Sequence, residues 1–344
     1  MKNYIPLAFI VLTIFFLQSC KKGEIDKKIP TNLIVSADVS TDGSGNVDFT
    51  ASANNAVSYD YDFGNGEYQT VTSGTFTYKY NQVGTFTYPV TVTAISIDNL
   101  TIKKTIQVSV TVNAAVPTLY WSDEFNVDGA PDPVKWGYDL GGGGWGNSEL
   151  EYYTSRSENV IVQQGVLKIK LIKETYSGYE YTSTRLLSKD KFDFKYGRVE
   201  VKAKLPAGVG TWPAIWMLGS DISTTGWPGC GEIDIMEHRG SELNKIFGTL
   251  HYPGRSGGNA DGSTTIISNA TTQFHIYSVD WTVAYIKIYV DNQLFHTVVN
   301  TNSIPFNHNF FFIMNIAMGG TFGGTIDPAF TNATMEVDYI RVYK

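Results

Sequence analysis

Cysteine is nearly absent: the 344 residues contain only Cys20 and Cys230. Two cysteines cannot build a disulfide framework, so stability must come from a hydrophobic core, which a chain of this length can form. No His/Cys/Asp cluster has zinc spacing. An excess of positive charge is missing too. The formal net charge is −7, which argues against nucleic-acid binding and against a polybasic membrane patch. Heptads and other long helical patterns do not occur. The apolar run at 4–17 is too short to span a membrane. The chain is instead rich in glycine (33 residues) and aromatics (14%), with period-two patterning, which indicates an all-β protein with many turns. Its length suggests about two domains.

The first twenty residues read as a processing segment. Lys2 precedes the apolar run, which ends Leu17-Gln18-Ser19-Cys20. This ending resembles a bacterial lipoprotein signal, with Gln18 as a mild departure. The resemblance implies removal of 1–19, lipidation of Cys20 and anchoring at the outer membrane or cell surface. An ordinary secretory signal with an incidental cysteine is the other reading. The rest of 20–30 is charged and reads as a solvated tether.

Residues 31–113 show short alternating segments parted by turn clusters such as Asp42-Gly43-Ser44-Gly45-Asn46, the pattern of a small β-sandwich. Within them, Tyr59-Asp60-Tyr61-Asp62-Phe63-Gly64-Asn65-Gly66 and Tyr78-Lys79-Tyr80-Asn81-Gln82-Val83-Gly84-Thr85-Phe86 resemble the signatures of PKD domains. That likeness implies an immunoglobulin-like module acting as a spacer or a weak polysaccharide binder. A short linker leads into residues 118–344, which are again β-rich and of a length suited to one sandwich or jelly roll. Strands are expected near 160–172, 196–204, 212–218, 232–237, 275–281, 284–290, 310–315 and 334–342. Gly-rich loops at 141–144, 257–262 and 319–324 are candidate cleft walls.

The chemistry concentrates in Glu232-Ile233-Asp234-Ile235-Met236-Glu237. Side chains alternate along a strand, so Glu232 and Asp234 share a face and Glu237 does not. A β-bulge at Ile235-Met236 would return Glu237 to their face. Carboxylates crowded on one face repel each other. Glycoside hydrolysis by a carboxylate pair is the leading reason to keep such an arrangement. In that reading Glu232 is the nucleophile, Glu237 the acid/base, and Asp234 helps keep Glu237 protonated.

The spacing Glu-x-Asp-x-x-Glu resembles the signature of glycoside hydrolase family 16, in its bulged, laminarinase-type branch. Further blocks agree in order: Trp121-Ser122-Asp123-Glu124-Phe125, Gly146-Asn147-Ser148-Glu149-Leu150-Glu151-Tyr152-Tyr153-Thr154, Gly210-Thr211-Trp212-Pro213-Ala214-Ile215-Trp216 and Val337-Asp338-Tyr339-Ile340-Arg341-Val342-Tyr343. The resemblance implies a concanavalin-like β-jelly roll and a retaining mechanism that needs no cofactor.

It also implies roles for other residues. Trp212 and Trp216, at i and i+4 on one strand face, match positions that stack on sugars, with core packing as the alternative. Asn147, Glu149 and Arg185 match positions along the glycone side, although Glu149 could equally cap a turn. His251 resembles a cleft-loop histidine. His238 points away from the acids and reads as a packed neighbour. A structural calcium is implied at Asp338 with carbonyls of Gly165 and Glu124, a salt-bridging or capping Asp338 being the other reading. The implied partner is a β-glucan, cut at β-1,3 or mixed β-1,3-1,4 linkages by a monomer. Sulfated or agarose-type galactans as substrates, and a non-catalytic glucan-binding protein, are the alternatives.

Overall fold

The structure is a computed structural model that describes residues 27–114 and 117–344. Cys20 and its signal lie outside the described residues. The chain divides into two compact units, the second beginning at Pro117.

The first unit is a sandwich of two antiparallel sheets. One contains Thr31–Val39, Asn46–Asn54 and Thr75–Lys79, and the other Tyr68–Val71, Ser58–Asp62, Gly84–Ile95 and Thr101–Val112. Alternate residues face inward, so Val47, Phe49, Tyr61, Phe63, Val90 and Val92 form its own core. Phe63 stacks on Tyr78 with ring centroids 3.7 Å apart.

The second unit packs a seven-stranded sheet against a ten-stranded one. The seven strands are β1 (Gly137–Asp139), β2 (Arg185–Leu187), β3 (Thr211–Gly219), β4 (Glu232–His238), β5 (Lys245–His251), β6 (Asp261–Ile266) and β7 (Phe310–Met318). They lie in the order β6-β5-β4-β3-β7-β2-β1. One face contributes Ile215, Met217, Ile233, Ile246, Leu250, Phe312, Met314 and Ile316 to a large core. The other sheet meets it with Leu167, Ile169, Val199, Val201, Tyr277, Val279, Trp281, Met335 and Val337. β7 is buried at every position, because Phe311 and Ile313 on its far face pack with Leu187, Leu218 and Cys230. Cys230 is a fully buried small apolar group, and burial pushes its thiol up to about 11.

One expected strand is two. The segment at 160–172 folds as a hairpin of Val160–Gln163 and Val166–Tyr176, with Gln163 opposite Val166. Gln164 and Gly165 both take positive φ, as a tight two-residue turn demands. The bulge expected at Ile235-Met236 is present. Ile215 and Trp216 of β3 face Met236 and Asp234, so Ile235 has no partner there. On the other side Asp234 and Glu237 face Thr249 and Phe247, three steps on β4 against two on β5. Both Ile235 and Met236 are fully buried.

Because the large core lies wholly within 117–344, this segment expressed alone is expected to unfold in one cooperative transition with native near-ultraviolet circular dichroism. A broad transition without tertiary signal would show that the core is incomplete without residues 27–114.

Candidate active site

Residues directly opposite in an antiparallel ladder share a face. The register therefore lays out the open face of the seven-stranded sheet in rows. Glu237 is followed by Ala214, Asn315, Arg185 and Asp139, and Asp234 by Trp216, Ile313 and Leu187. Glu232 is followed by Leu218 and Phe311. On the other side of β4 stand Phe247, Thr249 and His251, opposite Glu237, Asp234 and Glu232. Glu232 and Glu237 flank Asp234, four positions apart as counted on β3.

The two glutamates have donors of their own. Trp212 Nε1 donates to Glu237 Oε1 at 3.1 Å, and Thr249 Oγ1 lies 3.2 Å from Glu237 Oε2. Trp227 Nε1 donates to Glu232 Oε2 at 2.9 Å. His251 Nε2 stands 3.3 Å from Asp234 Oδ2 and 3.8 Å from Glu232 Oε1. Asp234 and Glu237 are 4% and 8% exposed, so water screens them little. Burial, reinforced by the charge of Glu237, holds Asp234 well above the usual carboxylate range. Burial also raises Glu237, against the nearby imidazole of His251 and the donors Trp212 and Thr249. Glu232 is pushed up to about 8, by burial first and then by the charge of Asp234. Three carboxyls in one dry groove cannot all ionise at neutral pH, so the group retains protons, as acid/base chemistry at one member requires.

The cleft wall is built from a hydrogen-bond chain. Asn147 Nδ2 and Tyr153 OH donate to the two oxygens of Glu149, at 3.0 and 2.9 Å. Asn315 Nδ2 donates to Tyr153 OH at 3.1 Å, and Trp216 Nε1 to Asn315 Oδ1 at 2.8 Å. Glu149 is 5% exposed with both oxygens engaged, and the chain that starts on it ends on the Trp216 indole. Arg185 lies between Trp216 and Trp145, 4.8 and 5.0 Å from their rings, and pairs with Asp139 at 3.0 Å. Trp212 packs on Phe322 of the 319–324 loop, 5.1 Å between centroids.

Trp145, Tyr153, Trp227, Thr249, Asn315 and Phe322 were not singled out from the sequence as site residues. Trp145 and Phe322 lie in or beside the Gly-rich loops, and Trp227 precedes the acidic motif, which are the only local signals. Thr249 and Asn315 become visible only through register. His238 is fully buried on the core face, and desolvation lowers its basicity.

For the implied calcium donors the structure gives strand register alone. Val337 faces Leu167 of one strand and Ile340 faces Asp123 of another, so Gly165 and Glu124 lie just beyond the pairs that flank Asp338. Both carboxylates there already have cations: Lys202 Nζ lies 2.6 Å from Asp338 Oδ2, and Arg341 Nη2 lies 2.7 Å from Glu124 Oε2. Calcium would therefore rely on main-chain carbonyls and compete with Lys202.

The elevated Glu232 has a stability consequence. The unfolded chain loses this proton near 4.5 and the folded chain near 8, so stability falls as pH rises between those values. Glu232→Gln has no such proton to lose. It is expected to match the parent in thermal stability at pH 4 and exceed it at pH 8 by on the order of 4 kcal/mol. A constant difference across that range in thermal melts would contradict the assignment.

The sequence profile of the PKD domain matches residues 32–108. That of glycosyl hydrolases family 16 matches residues 147–341. The chain is 46% identical over 243 residues to the Beta-glucanase of Rhodothermus marinus, covering 66% of this chain and 85% of that protein. It is 37% identical over 238 residues to the Keratan-sulfate endo-1,4-beta-galactosidase of Sphingobacterium multivorum, covering 66% and 55%. The solved laminarinase from Rhodothermus marinus aligns with a TM-score of 0.64 at 45% identity, over 67% of this chain and 99% of that one. With its acidic motif inside a matched segment of more than half its length, the chain belongs to glycosyl hydrolases family 16.

Proposed function

We propose that the protein is a retaining endo-β-glucanase acting on β-1,3-glucan of the laminarin type or on mixed β-1,3-1,4-glucan. The observation that carries this reading is the row of three carboxyls on one strand face with Trp212, Trp216 and Trp227 around it. Tryptophan faces stack on the apolar faces of neutral sugar rings. A sulfated substrate would call for free cations, and the nearby arginines are engaged. Arg185 pairs with Asp139, Arg239 with Glu242 at 3.3 Å, and Arg255 with Asp261 at 3.4 Å. The similarity to the Rhodothermus marinus Beta-glucanase supports the same substrate class.

The reactive form of the cluster has Glu232 ionised and Glu237 protonated: Glu232 attacks the anomeric carbon as Glu237 gives its proton to the departing glycosidic oxygen. The products are a glycosyl ester on Glu232 and a free sugar hydroxyl. Glu237, now a carboxylate, takes a proton from water, which attacks the same carbon and releases Glu232. Asp234 opposes a second negative charge beside Glu232, which favours the protonated form of Glu237 at the start. A sugar acceptor in place of water gives transglycosylation through the same intermediate.

Two further parts complete the reading. Cys20 carries a lipid that holds the protein, a monomer, at the cell surface, as the Leu17-Gln18-Ser19-Cys20 pattern suggests. A calcium held by carbonyls of Glu124 and Gly165 with Asp338 is structural and takes no part in the reaction.

Glu232→Gln is expected to lower kcat on laminarin by on the order of 10⁴-fold while retaining binding. Glu237→Gln is expected to lose laminarin hydrolysis yet keep cleaving an aryl β-glucoside whose leaving group needs no proton. Proton NMR should show the β-anomer formed first. Full turnover by Glu232→Gln, or first release of the α-anomer, would contradict the mechanism. For the anchor, Cys20→Ala should move the protein from the membrane to the soluble fraction. An unchanged distribution would contradict it.

A further inference from the structure

His251 lies against the acids and takes no part in the steps above. Its side chain is 15% exposed. The ring Nδ1 accepts the backbone N–H of Gly257 at 3.1 Å. A ring nitrogen that accepts an amide hydrogen carries no proton of its own, so a neutral His251 holds its one N–H on Nε2. That nitrogen faces Asp234 Oδ2 at 3.3 Å and Glu232 Oε1 at 3.8 Å. Asp234 is 4% exposed, and its Oδ2 has no hydrogen-bond partner among the described residues; the His251 Nε2 contact at 3.3 Å falls short of hydrogen-bond geometry.

We propose that His251 is a positioning residue: a neutral imidazole, locked by the Gly257 amide with its proton on Nε2, that turns this N–H toward Asp234 and Glu232 and favours ionisation on that side of the cleft when the site enters its reactive form. Glu237, which has its own donors in Trp212 and Thr249, is then the member left protonated. The proposal rests on the glycosidase reading and extends it to a residue outside the Glu-x-Asp-x-x-Glu motif.

Apart from the three acids, the groups around His251 are already engaged. Trp227 lies 5.7 Å from it, with its own N–H committed to Glu232. Asp261 accepts from Tyr252 OH at 2.8 Å and pairs with Arg255 at 3.4 Å, so neither charge is left to act on the imidazole. Arg239 stands toward Glu237 and is paired with Glu242.

The same cluster presents ligand atoms of Glu232, Asp234 and His251 within 4.8 Å of one another, a set that suits a divalent transition metal. Ligation through Nε2 would move the imidazole proton to Nδ1. There it would oppose the Gly257 N–H. The geometry therefore favours a donor over a metal ligand.

Nitrogen-15 NMR of histidine-labelled enzyme tests the lock directly. In the active enzyme the His251 resonances should show a bare Nδ1 and a protonated Nε2. A doubly protonated ring, or a proton on Nδ1, would overturn the proposal. Kinetics test the consequence. His251→Gln keeps an uncharged N–H donor at similar reach and should hold kcat within about threefold, with the acid limb of the pH profile unmoved. His251→Leu removes the donor. Its kcat should fall about a hundredfold with little change in KM, and its acid limb should move up by about one pH unit, since Glu232 then holds its proton more tightly. Equal losses in both variants with no movement of the limb would mark a packing residue and overturn the proposal. So would zinc inhibition that His251→Leu abolishes. Absence of β-glucan cleavage by the parent enzyme would instead sink the functional reading, leaving the NMR result to judge the lock.

Discussion

Like-charge crowding in a dry groove is the constraint on which the second unit turns. Strand alternation alone would send Glu237 into the core among Met314 and Ile316. One extra residue in β4 prevents this and buries both Ile235 and Met236 on the other side. The bulge thus serves packing and chemistry together. It completes the apolar face beneath the sheet and collects the third carboxyl above it. The electrostatic cost of that collection is spread over donors that reach in from different elements: Trp212 from β3, Thr249 from β5, and Trp227 from the loop before β4. A stability penalty at neutral pH is the expected companion of such a site, because the protons that a folded carboxyl retains are ones the unfolded chain gives up.

The neighbouring wall follows the same logic without titration. Glu149, Tyr153 and Asn315 are nearly inaccessible to solvent, yet their hydrogen bonds end on Trp216, at the cleft surface. A buried polar chain of this kind is favourable only when every member is satisfied, and that requirement fixes the indole in one orientation. Arg185 is held between two tryptophan rings and by Asp139, so its charge is spent on rigidity. The groove is accordingly firm and aromatic, with its named cations neutralised in place, which suits a neutral polysaccharide.

Much of this was legible in the sequence. Period-two patterning and turn clusters revealed an all-β chain, and the spacing of Glu232, Asp234 and Glu237 revealed the bulge, because alternation is a strict local rule. What stayed hidden depends on register between distant strands. Asn315 and Arg185 share a row with Glu237 only because β3, β7 and β2 pair in one alignment. Thr249 reads as an ordinary strand threonine until it is seen opposite Asp234. Glu149 was legible as part of a motif, but its burial beneath the wall was not. The turn at Gln164 and Gly165 was missed because the apolar pattern runs on through the hairpin with little interruption.

The central claim is that Glu232, and neither of its neighbours, becomes covalently bonded to the sugar. A 2-deoxy-2-fluoro β-glucan oligosaccharide with an activated leaving group forms the ester quickly and releases it slowly, so peptide mass spectrometry can locate it. The mechanism described here predicts a single added glycosyl mass on the peptide carrying Glu232, absent from Glu232→Gln. A label on Asp234 or Glu237, or enzyme that consumes the reagent without acquiring any label, would contradict it.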